Sequence, residues 1–148
     1  MYAIAIDDSK IQRKLFTLFF KSAGIPEDRI QILGGSAEEI NTFCEFATKF
    51  VDEHPDDLIL MIVDENLDIQ EEIVGKKHAS VSGSAAVAEM RRRLLPDQER
   101  RVLALIRSAN DSARDVSIYN SRAHGYLPKS PVKKNQVLGI LAPLWLDK

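Results

Sequence analysis

Apolar residues along the chain fall into short blocks whose period changes at each turn signal. Ala3-Ile4-Ala5-Ile6 is wholly apolar, the pattern of a strand buried on both faces of a parallel sheet, and it stops at Asp7-Asp8-Ser9. From Ser9 to Ala23 the spacing is helical. Ile11, Leu15, Phe16, Leu18, Phe19 and Phe20 form a broad apolar face there, closed by Gly24-Ile25-Pro26. Arg29 to Leu33 predicts a second strand ending at Gly34-Gly35. Ser36 with Glu39 forms a capping box for a helix to about Glu53, whose buried stripe is Ile40, Phe43, Ala47, Phe50 and Val51. Leu58 to Val63 is the strongest central strand and ends on Asp64. A helix from about Ser84 to Leu95 follows a long polar connection. Val102 to Ile106 predicts a fourth strand, ended by Ser108-Ala109-Asn110-Asp111, and Ser112 to Ala123 a weaker fourth helix. Tyr126-Leu127 is a short fifth strand, and Val132 to about Ala142 a last helix that Pro143 ends or kinks.

Five alternations of strand and helix predict an α/β fold, a five-stranded parallel sheet with helices on both faces. The anomaly is Asn66 to Gly83, an extended loop of roughly 18 residues without clear periodicity, where such connections usually take about 2 to 6. Loops of that length tend to be functional.

Composition narrows the classes. A chain of 148 residues, 45% hydrophobic and 28% charged, suits one domain over 1–148. Twenty Lys and Arg against 22 Asp and Glu leave a net charge of −2, too little for a broad basic face, so nucleic acid is not an expected partner. No apolar stretch approaches the roughly 20 residues of a membrane span, and no basic-then-apolar leader is visible, so neither membrane nor export is expected. A single cysteine, Cys44, and histidines 54, 78 and 124 without zinc spacing fit a cytoplasmic location. Cys44 reads as an inert core thiol, His124 carries no catalytic role, and Lys76-Lys77-His78 and Arg91-Arg92-Arg93 read as solvated charge runs.

In an open parallel sheet, ligands bind beyond the carboxyl ends of the strands, where loops and helix N-termini collect. The first strand ends in Asp7-Asp8, the third in Asp64-Glu65-Asn66, the fourth in Ser108-Ala109-Asn110, and the fifth in Lys129-Ser130-Pro131. Three carboxylates there repel one another unless a hard divalent cation takes their oxygens, and magnesium also leaves a position for a phosphoryl oxygen. Lys129 and Ser108 can hold the other oxygens, so the set suits phosphoryl transfer. The plainer readings are that Asp7 and Ser9 cap the first helix, Ser108 shapes a turn, and Tyr126 is a partly buried core aromatic.

This constellation resembles the receiver domain of two-component response regulators along essentially the whole chain. The matching residues are Asp7-Asp8 followed by Ser9-Lys10, Asp64 after an apolar strand, Ser108-Ala109 after the fourth, and Lys129 after the fifth, with Tyr126 where receivers carry a switch aromatic. The resemblance implies a flavodoxin-like, doubly wound sheet of strand order 2-1-3-4-5. It implies Asp64 as the nucleophile that takes a phosphoryl group from the phosphohistidine of a histidine kinase or phosphotransfer protein. Mg2+ would be held by Asp8, Asp64 and the Asn66 backbone carbonyl, with Asp7 acting through water. Lys129 would pair with the phosphoryl oxygens, and Ser108 and Tyr126 would switch the face of the fourth helix and fifth strand toward an effector or a second copy. Self-catalysed phosphotransfer and autodephosphorylation would be the extent of its catalysis.

Three positions depart from the family pattern. Ser130 intervenes between Lys129 and Pro131, where receivers carry Lys-Pro; the hydrophobic-Pro pair and glycine that usually follow the acceptor are replaced by Asn66-Leu67-Asp68; and the long loop comes next. They motivate an alternative, a degenerate receiver acting as a phosphorylation-independent interaction module. A small phosphatase is a third reading, against which Asn66 stands where a general acid would be required. The absence of an effector segment suits either a stand-alone regulator or a domain of a hybrid kinase.

Overall fold

Alternation within the apolar runs sorts each strand's side chains onto two faces of one sheet. The computed structural model describes residues 1–70 and 78–129. The chain runs β1 (Tyr2–Ile6), α1 (Lys10–Ser22), β2 (Ile30–Leu33), α2 (Ala37–Asn41), α3 (Phe43–Glu53), β3 (Ile59–Asp64), β4 (Asn66–Gln70), β5 (His78–Ser82), α4 (Gly83–Arg93), α5 (Pro96–Glu99), β6 (Val102–Ser108), α6 (Ala113–Arg122) and β7 (Gly125–Pro128). Five strands form a parallel sheet in the order β2-β1-β3-β6-β7, which is the expected 2-1-3-4-5 once β4 and β5 are set aside. The last helix, Pro143 and the Lys129–Ser130 bond lie outside the described residues.

Both faces of the sheet are covered. Ala3, Ala5, Leu60, Ile62, Leu103 and Leu105 meet Phe16 and Phe20 of α1. Their neighbours Ile4, Ile6, Met61, Val63, Ala104 and Ile106 meet Phe43 and Ala47 of α3, Val87 and Met90 of α4, and Tyr119 of α6. All six residues of β3 are buried, as expected for the central strand, and each large side chain there contributes about 1.5–3 kcal/mol on leaving water.

Local sequence explains the boundaries. Ser9 caps α1 by accepting the Gln12 N–H, and Ser36 caps α2 by accepting the Glu39 N–H. Glu39 turns its carboxylate onto the N–H groups of Gly34 and Gly35, at 3.0 Å each, and so pins the loop that leaves β2. The expected single helix to Glu53 is two. Thr42 donates its hydroxyl to the Glu38 carbonyl at 2.7 Å, a back-bond that bends helices, and α3 starts at the next residue.

Two further expectations change. On α1 only Phe16 and Phe20 are buried, whereas Ile11, Leu15 and Leu18 are 69%, 50% and 64% exposed. At 3.6 residues per turn those three lie on the order of 100–160° around the helix from Phe16, too far to face the same sheet. Arg91 is not simply solvated: it donates to Glu99 and to the Arg122 carbonyl, while His124 accepts the Ala104 N–H at Nδ1 and meets Glu99 at Nε2.

The segment read as an aperiodic loop holds an antiparallel pair, β4 against β5. Leu67 and Ala79 enter the core while Asp68 stays exposed, a period of two carried by too few apolar residues to register in the sequence.

Candidate functional site

Where β1 and β3 end, the sheet's apolar run gives way to carboxylates. Asp7 is fully buried, Asp64 is 1% exposed, and Asp8 is half-buried. Each of the three offers an oxygen within 4.8 Å of the others. Asp7 Oδ1 accepts the Ser9 N–H at 2.9 Å, a turn that leads into α1, so the plain capping reading holds for Ser9, whose hydroxyl accepts the Gln12 N–H, and not for Asp7. The remaining oxygens, Asp7 Oδ2 and Asp64 Oδ2, are buried without a hydrogen-bond partner. Burial dominates the electrostatics. It pushes the Asp64 carboxyl from its ordinary 3.8 up to about 6, with Asp7 and Asp8 adding to the rise and Lys129 opposing it. Asp7 is raised as well, first by burial.

Octahedral magnesium at about 2.1 Å spaces adjacent ligands by about 3 Å and opposite ones by about 4.2 Å, so these oxygens need close only slightly around such an ion. Two orphaned buried oxygens and a repulsive trio are what a divalent cation relieves. The donor set fits that class of ion.

The other side of the site is basic and hydroxylic. Lys129, just beyond β7, sets its Nζ 2.9 Å from Asp64 Oδ1. Ser108, 1% exposed at the end of β6, is enclosed: its Oγ accepts from Tyr119 Oη at 3.1 Å and from the Asn110 N–H at 3.0 Å. Tyr126 donates its hydroxyl to the Ser108 carbonyl at 3.0 Å, and its ring lies 5.6 Å from that of Tyr119. Ser108, Tyr119 and Tyr126 thus form one unit, of which the sequence indicated two members. Asn66 opens β4 with its side chain exposed, two residues beyond Asp64, and pairs with Ser82.

Four contributors to this edge were invisible in the pattern. Gly34 has φ +111°, and a Cβ there would stand 2.2 Å from the Asp7 carbonyl oxygen; one at Gly83 would stand 2.0 Å from that of Asp64. Gly83 packs against Asp64 in space although β4 and β5 separate the two along the chain. Arg13 donates to the carbonyls of Asp7 and Gly34 and ties β1 to β2. Glu65 is buried, with Oε1 accepting from both Ser82 and Ser84 hydroxyls. The inserted pair reaches the site itself, for the Asp68 N–H donates to Asp8 Oδ2 at 2.9 Å.

Cys44 packs partly against the core, and burial pushes its thiol up, in keeping with an inert role. No helix among the described residues is long and apolar enough to cross a membrane.

No protein-family model matches the sequence, and no curated protein matches it. Solved structures do match in three dimensions. The chemotaxis protein CheY4 of Vibrio cholerae aligns at 18% identity and TM-score 0.63 over 97% of both chains. The complex of CheX and CheY with beryllofluoride and magnesium from Borrelia burgdorferi aligns at 14% identity and TM-score 0.64, over 98% of this chain and 89% of that one. The signal receiver domain of NarL from Mycobacterium tuberculosis aligns at 14% identity and TM-score 0.61, over 99% and 97%. Sheet order, covering helices and these alignments agree: the chain has the fold of a response regulator receiver domain.

Proposed function

We propose that the protein is a receiver in two-component signalling that accepts a phosphoryl group on Asp64. One observation carries this reading: Asp64 is a buried carboxylate with an orphaned oxygen, flanked by Asp7 and Asp8 on one side and by the Lys129 ammonium on the other. A carboxylate oxygen of Asp64 attacks the phosphorus of a phosphohistidine on a histidine kinase or phosphotransfer protein. The P–O bond forms as the P–N bond breaks, and the leaving imidazole nitrogen is protonated. Bound magnesium supplies charge neutralisation and a ligand position for a phosphoryl oxygen. Asp8, Asp64 and the Asn66 carbonyl would hold it, with Asp7 acting through water.

Lys129 pairs with Asp64 in the resting protein and exchanges that partner for phosphoryl oxygens after transfer. Ser108 keeps its hydroxyl proton free to donate, because both Oγ contacts in hand are accepted ones. Drawing Ser108 toward a phosphoryl group strains the Tyr119 and Tyr126 bonds, so the α6 and β7 surface changes and a protein partner or second copy reads it. Water then hydrolyses the acyl phosphate. This chemistry suits a cytoplasmic protein within a single receiver domain over 1–148.

The test is a phosphoryl donor, phosphoramidate, with Mg2+ and intact-mass detection. The wild type should gain one phosphoryl group and Asp64→Asn none; an adduct retained in Asp64→Asn, or absent from the wild type, overturns the reading.

A second reading, a phosphorylation-independent interaction module, is favoured by one contact: the Asp68 N–H already occupies Asp8 Oδ2. Calorimetric titration with Mg2+ separates the two. Binding in the micromolar to millimolar range supports the acceptor, and its absence supports the module.

A further inference from the structure

From the geometry around Lys129 we infer that Arg107 is a positioning residue that sets the lysine's reach to Asp64, an inference that rests on the acceptor reading above. Arg107 stands in register with Asp64 on the neighbouring strand. Its own carbonyl accepts the Glu65 N–H at 3.1 Å, so its backbone holds the segment immediately after the nucleophile. The side chain works in the other direction. Nη1 donates to Gln12 Oε1 at 2.6 Å, Nη2 donates to the Lys129 carbonyl at 3.3 Å, and the guanidinium carbon lies 5.0 Å from the centre of the Phe16 ring.

A guanidinium is planar and forked, so two donors on different elements and a ring beneath fix its plane. One residue therefore ties β3, α1 and the end of β7 together at the level where Asp64 and Lys129 meet. The need is local. Lys129 follows the last residue of β7 and has no ladder partner of its own, while its Nζ must hold a 2.9 Å contact with Asp64 Oδ1. The Arg107 fork supplies a restraint from the sheet side.

The fork touches Lys129 and none of the cation-site carboxylates, and its charge reaches Asp7 only as the weakest of the influences on that carboxyl, so its loss should separate two properties. In Arg107→Gln, phosphorylation by phosphoramidate in saturating Mg2+ should fall about tenfold, in the range expected for a displaced catalytic group, while calorimetric Mg2+ affinity stays within about twofold. In a Lys129→Ala background the same substitution should add no further loss, because the group it positions is gone. Arg107→Lys, which keeps the charge but cannot fork, should be as slow as Arg107→Gln. Gln12→Ala, which removes an anchor while leaving the sheet intact, should show the same defect at about threefold and covers the case in which Arg107 variants fail to fold.

Full activity in Arg107→Gln or in Gln12→Ala, rescue by Arg107→Lys, or additive loss with Lys129→Ala overturns the inference. A wild type that takes no phosphoryl group at all would instead overturn the acceptor reading, so the two failures are distinct.

Discussion

The two sides of the site differ in how their polar groups are satisfied. On the acidic side, Asp7 Oδ2 and Asp64 Oδ2 are buried without hydrogen-bond partners, and burial raises both carboxyls. On the hydroxyl side, Ser108 has its Oγ engaged twice and its carbonyl once, by Asn110, Tyr119 and Tyr126. An orphaned buried acceptor costs stability until a ligand arrives, whereas a satisfied one resists a new partner. The first side is built to gain free energy on binding, and the second to lose some. Under the proposed function, a ligand that spans both would drive a change in the α6 and β7 surface with energy released at the carboxylates.

The largest expected effect tests the acidic side by pH. Because the folded-state carboxyl of Asp64 titrates at about 6 instead of 3.8, the folded chain keeps a proton that the unfolded chain has released between those values. Stability without metal should therefore fall as pH rises through that window, by up to about 3 kcal/mol from this group, and level off above it. Mg2+ should reverse the trend above pH 6 by binding the ionised trio. Urea unfolding of wild type and Asp64→Asn at several pH values reads this directly. An equal slope in both chains would remove Asp64 as its source.

Next in size is the packing that keeps the acidic side in place. Gly83→Ala puts a Cβ 2.0 Å from the Asp64 carbonyl oxygen and 2.9 Å from Val63 Cγ1, and the backbone carbonyl has little room to yield. The cost should be about 2–3 kcal/mol in chemical denaturation, together with weaker Mg2+ binding. Lost stability at unchanged Mg2+ affinity would show that Gly83 supports the fold and not the site.

What could be read from the sequence divides along the same line. Asp7, Asp8, Asp64 and Lys129 were legible because strand ends in a parallel sheet share one edge, so the order of apolar runs already placed them together. Tyr119 and Arg107 were not. Each acts through a contact between elements, Tyr119 from α6 onto Ser108 of β6 and Arg107 from β6 onto Gln12 of α1, and neither partner is close in sequence. Gly83 was hidden differently: β4 and β5 separate it from Asp64 along the chain while the Gly83 N–H still donates to the Glu65 carbonyl at 2.8 Å. The fold was easier to read than the site because periodicity reports burial, and the hydroxyl side is made of side chains whose spacing carries no period.

The hydroxyl side should respond more weakly, and unequally within itself. Tyr119 is 4% exposed and its hydroxyl bond to Ser108 Oγ is buried, so Tyr119→Phe should cost about 1 kcal/mol, with no change in the pH slope set by Asp64. Tyr126 is only half-buried, and its hydroxyl bond to the Ser108 carbonyl is partly buried where that of Tyr119 is fully so. Tyr126→Phe should therefore cost about 0.5 kcal/mol, the smallest effect of the set. The informative quantity is the pair. Both hydroxyls end on Ser108 and the rings are in contact, so the double variant should be more stable than the sum of the single losses implies, by about 0.5 kcal/mol. Strict additivity would mean that the two tyrosines report on Ser108 independently, and the hydroxyl side would then be two contacts instead of one unit.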